Sequence, residues 1–170
     1  ETSQGGHPNV HYTVGCAGVV VEIDKETGKL TVLKTALAVD AGKAINPELV
    51  DGQIVGGIVQ GLATALYEDI RYGSNGRLLN PNFTDYKIPT SLDCPGEIVP
   101  IILETAQPDG PFGARGVGEH TMVACAPMIA DAIADAVGVR LKTMPLTAEK
   151  TALALRGIEY DDVKGDNLGF

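Results

Sequence analysis

Tryptophan is absent from these 170 residues, and cysteine occurs three times, at Cys16, Cys94 and Cys125, with no C-x-x-C pair. Scattered cysteines in odd number argue against a disulfide framework or a zinc ribbon and fit a reducing, cytoplasmic setting. They also lack the spacing that holds an iron–sulfur cluster, and each reads as a small buried hydrophobe. No Lys/Arg cluster interrupts a net charge of −9, which argues against a nucleic-acid duplex or an anionic membrane surface as partner. No uninterrupted apolar run approaches the ~20 residues of a membrane span. No signal peptide is visible, but neither is an initiator Met, so the missing signal carries little weight. A start at Glu1 reads as a piece of a larger chain or a separately encoded small subunit. Internal repeats, low-complexity tracts and a G-x-x-x-x-G-K-[ST] phosphate loop are all missing.

Glycine, in contrast, is plentiful, at 21 residues. Two β-branched runs, "YTVGCAGVVVEID" and "LTVLKTALAVD", flank the polar turn "KETGK" and predict a β-hairpin. Asn46 then suits an N-cap and Pro47 a first helical turn, starting a helix of about six turns that runs to Ile70. That helix carries Gly52, Gly56, Gly57 and Gly61, each costing about 1 kcal/mol relative to alanine. A close-packed element or a ligand must compensate. "YGSNGRLL" predicts a turn into a short strand, "NFTDYKIPTSLDCPGE" an irregular crossing, and "IVPIILET" a strand placed by Pro100 at an edge or bulge. A helix after the next glycine loop has Thr121 as its cap and Gly138 at its left-handed end. "VRLKTMPL" predicts a last strand, and Thr147 caps a last helix.

The fold class expected is α+β, a mixed α/β sandwich with helices packed on a mixed sheet. Residues 1–12 read as an irregular segment, 13–158 as the domain, and 159–170 as an acidic tail. His7 and His11 have helical ligand spacing, but Pro8 breaks that helix, so no metal ligands are assigned.

The densest signal is "PFGARGVGEHTMVACAP", residues 111–127. Gly113, Gly116 and Gly118 allow a backbone that turns sharply and lies against a flat partner. Glu119 follows directly. Such a carboxylate could simply complement a helix dipole, for about 0.3–1 kcal/mol, and the loop alone could equally hold a phosphate.

Read with "DAGKAINPELVDGQIVGGIVQGLATALYE" and "FTDYKIPTSLDCP", this stretch resembles the C-terminal region of the molybdopterin-binding subunit of the xanthine dehydrogenase/aldehyde oxidase family. The resemblance covers roughly residues 13–155. It implies a molybdenum hydroxylase that oxidises an aldehyde or an N-heterocycle such as a purine, with water as the oxygen source. Glu119, in the family's G-V-G-E motif, would be the general base beside a molybdenum–molybdopterin cofactor. Gln53 would hydrogen-bond the pterin, whose edge suits an amide with both donors and an acceptor. Gly113, Gly116 and Gly118 would line the cofactor. The partners implied are the remainder of the molybdopterin-binding subunit and iron–sulfur and FAD (flavin) domains or subunits, which receive the electrons.

The sequence also departs from the family. His120 and Thr121 follow the glutamate where relatives often have proline, and Arg115 stands where many carry lysine, changing hydrogen-bond geometry at constant charge. Two other readings stand beside the enzyme: an interaction or assembly module that keeps the fold, and a phosphate- or nucleotide-binding domain. As an isolated piece, the chain is expected to be inactive.

Overall fold

The computed structural model describes residues 12–158. The expectations for residues 1–11, including His7 and His11, and for the tail at 159–170 lie outside them.

Strands β1 (Gly15–Ile23) and β2 (Leu30–Asp40) form the expected antiparallel hairpin. Its turn is held by the Asp24 carboxylate, which accepts from the N–H groups of Glu26 and Thr27. A bulge at Leu33 places Val20 opposite Lys34 and Val21 opposite Val32. The extra residue shifts the pleat, so buried positions along β2 run from Val32 to Thr35, Leu37 and Val39 instead of alternating throughout.

Helix α1 (Pro47–Leu66) starts as expected, with the Asn46 side chain accepting from Leu49 N–H. It ends four residues before Ile70. Asn80, buried, accepts from Arg71 N–H and donates to the Asp69 carbonyl, pulling 69–71 out of the helical path. The short strand expected after "YGSNG" is reduced to one bridge between Tyr72 and Leu78. Strand β3 (Glu97–Leu103) then pairs parallel to β2, giving the sheet order β1-β2-β3 and leaving Pro100 on an edge strand.

Helix α2 (Cys125–Val137) packs on β1 and α1 and ends at Gly138 with φ 77°. Helix α3 (Ala148–Leu155) is capped by Thr147 through Lys150 N–H. The last expected strand, 139–146, does not form. Pro145 has no N–H to give to a ladder, Leu146 N–H donates to Ala65 O at the end of α1, and Lys150 Nζ draws in the carbonyls of Thr143 and Pro145.

Helices on a small mixed sheet make this an α+β fold. Its core joins Ile54, Ile58, Leu62 and Ala65 of α1 and Ile129 and Ile133 of α2 to Leu37 and Val39 of β2. The spacing in each helix is that of one buried face. Among the described residues, two stretches, Pro47–Leu66 and Glu119–Val137, do reach the length and mean hydropathy of a membrane span. A count of uninterrupted apolar residues misses this, because Asp51 and Gln53 break the run. For α1 the core face accounts for much of that hydropathy.

Candidate active site

The glycine loop is fixed at both ends and open in the middle. At its start, Lys43 N–H and Gln107 N–H both donate to the Gly113 carbonyl, and Arg115 N–H donates to Ala41 O. Gly42 has φ 63°, and a Cβ there would overlap the Gly113 carbonyl and stand 2.9 Å from Arg115 N. Only glycine lets the two segments lie this close.

Asp40, at the end of β2, ties the same corner. Its Oδ1 accepts from Gly42 N–H at 2.9 Å and Thr105 N–H at 3.0 Å, while Oδ2 lies 3.6 Å from Arg115 Nη2. The N–H groups of Thr105 and Gly42, followed by the Arg115 charge, hold the Asp40 carboxyl below the usual carboxylate range. Next to it Glu104 accepts from Lys43 Nζ and Ala44 N–H, and its pKa is lowered for the same reasons.

At the far end, Glu119–Met122 forms a single 3-10 turn rather than the first turn of α2. Thr121 does not cap α2, whose N-cap position is Ala124 with no side-chain bond. Its hydroxyl faces the other way, with Oγ1 3.2 Å from the Gln53 carbonyl and 2.8 Å from the Gly118 carbonyl. The turn seats in a notch on α1: a Cβ on Gly57 would overlap Thr121 Oγ1, and one on Gly61 would stand 2.5 Å from Cys125 Cβ. Two of the four helix glycines are thus accounted for by a close-packed element. Gly52 and Gly56 are not, since a Cβ on either meets nothing within 4 Å.

Between these anchors, the N–H groups of Gly116, Val117 and Gly118 have no partner among the described residues. Gly116 and Gly118 likewise leave open space where a Cβ would stand. Gly113 differs: its N–H donates to Gly110 O and its carbonyl is doubly engaged, so its backbone serves the loop itself.

Gln53 and Glu119 are both exposed and line different hollows. Gln53 lines a hollow of about 220 Å³ with Lys43, Asn46, Arg115 and Val117. Glu119 lines another of about 320 Å³ with His120, Thr64, Met122, Val123 and Ala126. Burial lowers the His120 pKa and so favours the neutral imidazole; its Nε2 is buried without a partner among the described residues. Burial also pushes the Cys125 thiol up to about 11, which makes it inert packing as expected, whereas Cys16 is exposed and Cys94 only half-buried, against the expectation for those two. Among the described residues, no group of three His, Cys, Asp or Glu gathers that could hold a metal ion.

Comparison with known proteins settles the family. A family model described as "Molybdopterin cofactor-binding domain" matches residues 1–95, which include the hairpin, α1 and Gln53. The chain belongs to this family. It is 35% identical over 151 residues to the 6-hydroxypseudooxynicotine dehydrogenase complex subunit gamma of Paenarthrobacter nicotinovorans, covering 88% of this chain and 19% of that protein. It is 34% identical to the putative xanthine dehydrogenase molybdenum-binding subunit of Escherichia coli K12, covering 80% and 18%. The reconstituted CO dehydrogenase from Oligotropha carboxidovorans superposes with a TM-score of 0.81 at 30% identity, covering 89% and 19%. The chain therefore spans about a fifth of the length of the curated relatives it matches, and it corresponds to part of a molybdenum-binding subunit.

The residues present fit a molybdopterin. A large flat group with polar edges needs free donors, an amide, and walls without side chains. The N–H groups of 116–118, without partners among the described residues, the exposed Gln53 amide and the open positions at Gly116 and Gly118 have the chemistry to supply these.

Sequence reasoning missed the Asp40–Arg115 latch and the role of Thr121. Paired glycines at Gly57 and Gly61, one helical turn apart, signalled a close-packed neighbour without naming it.

Proposed function

We propose that this chain forms one wall of a molybdenum hydroxylase active site and supplies its general base. Glu119 carries the reading: an exposed carboxylate on a short turn, anchored by Thr121 and preceded by three N–H groups that have no partner among the described residues. Gln53 and the N–H groups of Gly116, Val117 and Gly118 would hold the pterin, with Gly113 shaping the loop from behind. When bound, the molybdenum–pterin group supplies the two-electron redox chemistry.

The chain's own contribution is to bind, orient and move a proton. Glu119 accepts the proton lost as the oxygen nucleophile forms, and an anchored carboxylate keeps the short reach that proton transfer requires. Met122, Val123 and Ala126 form the apolar part of the lining of the hollow around Glu119. In the overall change a substrate C–H becomes C–OH, water supplies the oxygen, and two protons and two electrons leave. The electrons pass to iron–sulfur and flavin centres on partner domains or subunits of a cytoplasmic complex.

The substrate class is an aldehyde or an N-heterocycle. The names of similar proteins support this range: a nicotine 6-hydroxylase large subunit, an aldehyde oxidoreductase and a xanthine dehydrogenase subunit. Turnover of the complete enzyme in ¹⁸O-labelled water tests the reading. Label in the product is expected, and a product oxygen drawn only from O₂ would contradict it.

A further inference from the structure

We propose that Thr121 is a positioning residue that sets the distance between the general base and the cofactor-binding helix, an inference resting on the role given to Glu119 above. Among the described residues, its hydroxyl bridges both parts of the candidate site, with Oγ1 3.2 Å from Gln53 O and 2.8 Å from Gly118 O. Its N–H also donates to Gly118 O, at 3.2 Å. The Gly118 carbonyl belongs to the peptide joined to Glu119, so this residue fixes the peptide plane from which the carboxylate projects.

The surroundings argue that this placement is specific. Thr121 is 1% exposed, in a turn whose neighbours Glu119 and Val123 are both exposed. A threonine at the start of a helix ordinarily caps it, yet here α2 is left without a side-chain cap. Room for the hydroxyl exists only because Gly57 has no side chain, since a Cβ there would overlap Oγ1. Gly57 costs α1 about 1 kcal/mol of helix propensity, so the notch is maintained against a local preference. The N–H groups of 116–118 have no partner among the described residues, which leaves Thr121 as the nearest anchor on the Glu119 side of the loop.

The test uses the complete enzyme with Thr121→Val, which keeps the volume and loses the donor, and Thr121→Ser, which keeps the donor. Glu119→Gln serves as the reference. Two quantities are read at matched molybdenum content: kcat, and hydrogen–deuterium exchange of the backbone amides of residues 117–124 in the resting enzyme. Thr121→Val is expected to lower kcat by about 10- to 100-fold with KM little changed, since small misplacements of a catalytic group cost that much. It should also speed exchange in the turn, and Thr121→Ser should restore both. Thr121→Ala replaces the valine variant if the latter does not assemble. Wild-type exchange and turnover in Thr121→Val would overturn the proposal and show that only the shape matters. If Glu119→Gln retains full turnover, the general-base reading falls instead, while the exchange measurement still reports whether Thr121 anchors the turn.

Discussion

Arg115 reaches from the glycine loop to Asp40 at the end of β2, its Nη2 3.6 Å from Oδ2, with side chains only 15% and 8% exposed. The pair fastens one end of the loop to the sheet, and its strength depends on an ionised Asp40. The folded-state pKa of Asp40 is lowered, first by the N–H groups of Thr105 and Gly42 and then by Arg115. Its contribution is therefore complete above the unfolded carboxyl value of about 3.9 and is lost as pH falls through the lower folded value. Urea midpoints should drop more steeply below about pH 4 in the wild type than in Asp40→Asn. Parallel pH curves would show that the latch adds no stability.

The four glycines of α1 should behave as two classes. Gly56→Ala meets nothing within 4 Å and should stabilise the isolated chain by about 0.4–1 kcal/mol through helix propensity. Gly61→Ala places a Cβ 2.5 Å from Cys125 Cβ and 2.7 Å from Met122 O, and should destabilise by about 1–3 kcal/mol. Thermal unfolding of both variants checks this; equal effects would mean the notch at Gly61 is not filled by Met122 and Cys125.

Local signals in the sequence were read well where a residue's neighbours along the chain decide its role. Asn46 and Pro47 start a helix whatever surrounds them, and the hairpin follows from two β-branched runs about one turn. Roles decided by distant segments were not legible. Thr121 has two uses open to it, capping its own helix or bonding to another, and only the notch at Gly57 selects the second. "VRLKTMPL" has the composition of a strand, but Lys150 and the end of α1 take up its backbone groups. Asp40 and Arg115 gave no local sign of meeting. In the candidate site, Gln53 and Glu119 could be named from a family resemblance. That a single hydroxyl links their backbones could not.

Gln53→Ala in the complete enzyme should weaken cofactor retention more than it slows chemistry. An amide that binds the pterin rather than the reacting atoms contributes about equally to ground and transition states. Molybdenum content after extended dialysis should fall, while turnover per molybdenum stays near wild type. Full retention of molybdenum with turnover reduced by orders of magnitude would contradict the role given to Gln53.

Glu119→Gln is the most direct test of the account. Glutamine keeps the size and hydrogen-bonding capacity of glutamate but cannot take up a proton as a base. The measurement is the rate of substrate-driven reduction of the molybdenum centre, in wild-type and variant enzymes matched for cofactor content. General-base catalysis typically contributes about 10²–10⁴-fold, so the rate should fall by that order with molybdenum content unchanged. A glutamate that only complements the start of a helical turn would cost at most about 1 kcal/mol of stability and leave the rate intact. Reduction at the wild-type rate would contradict the assignment of Glu119 as the base.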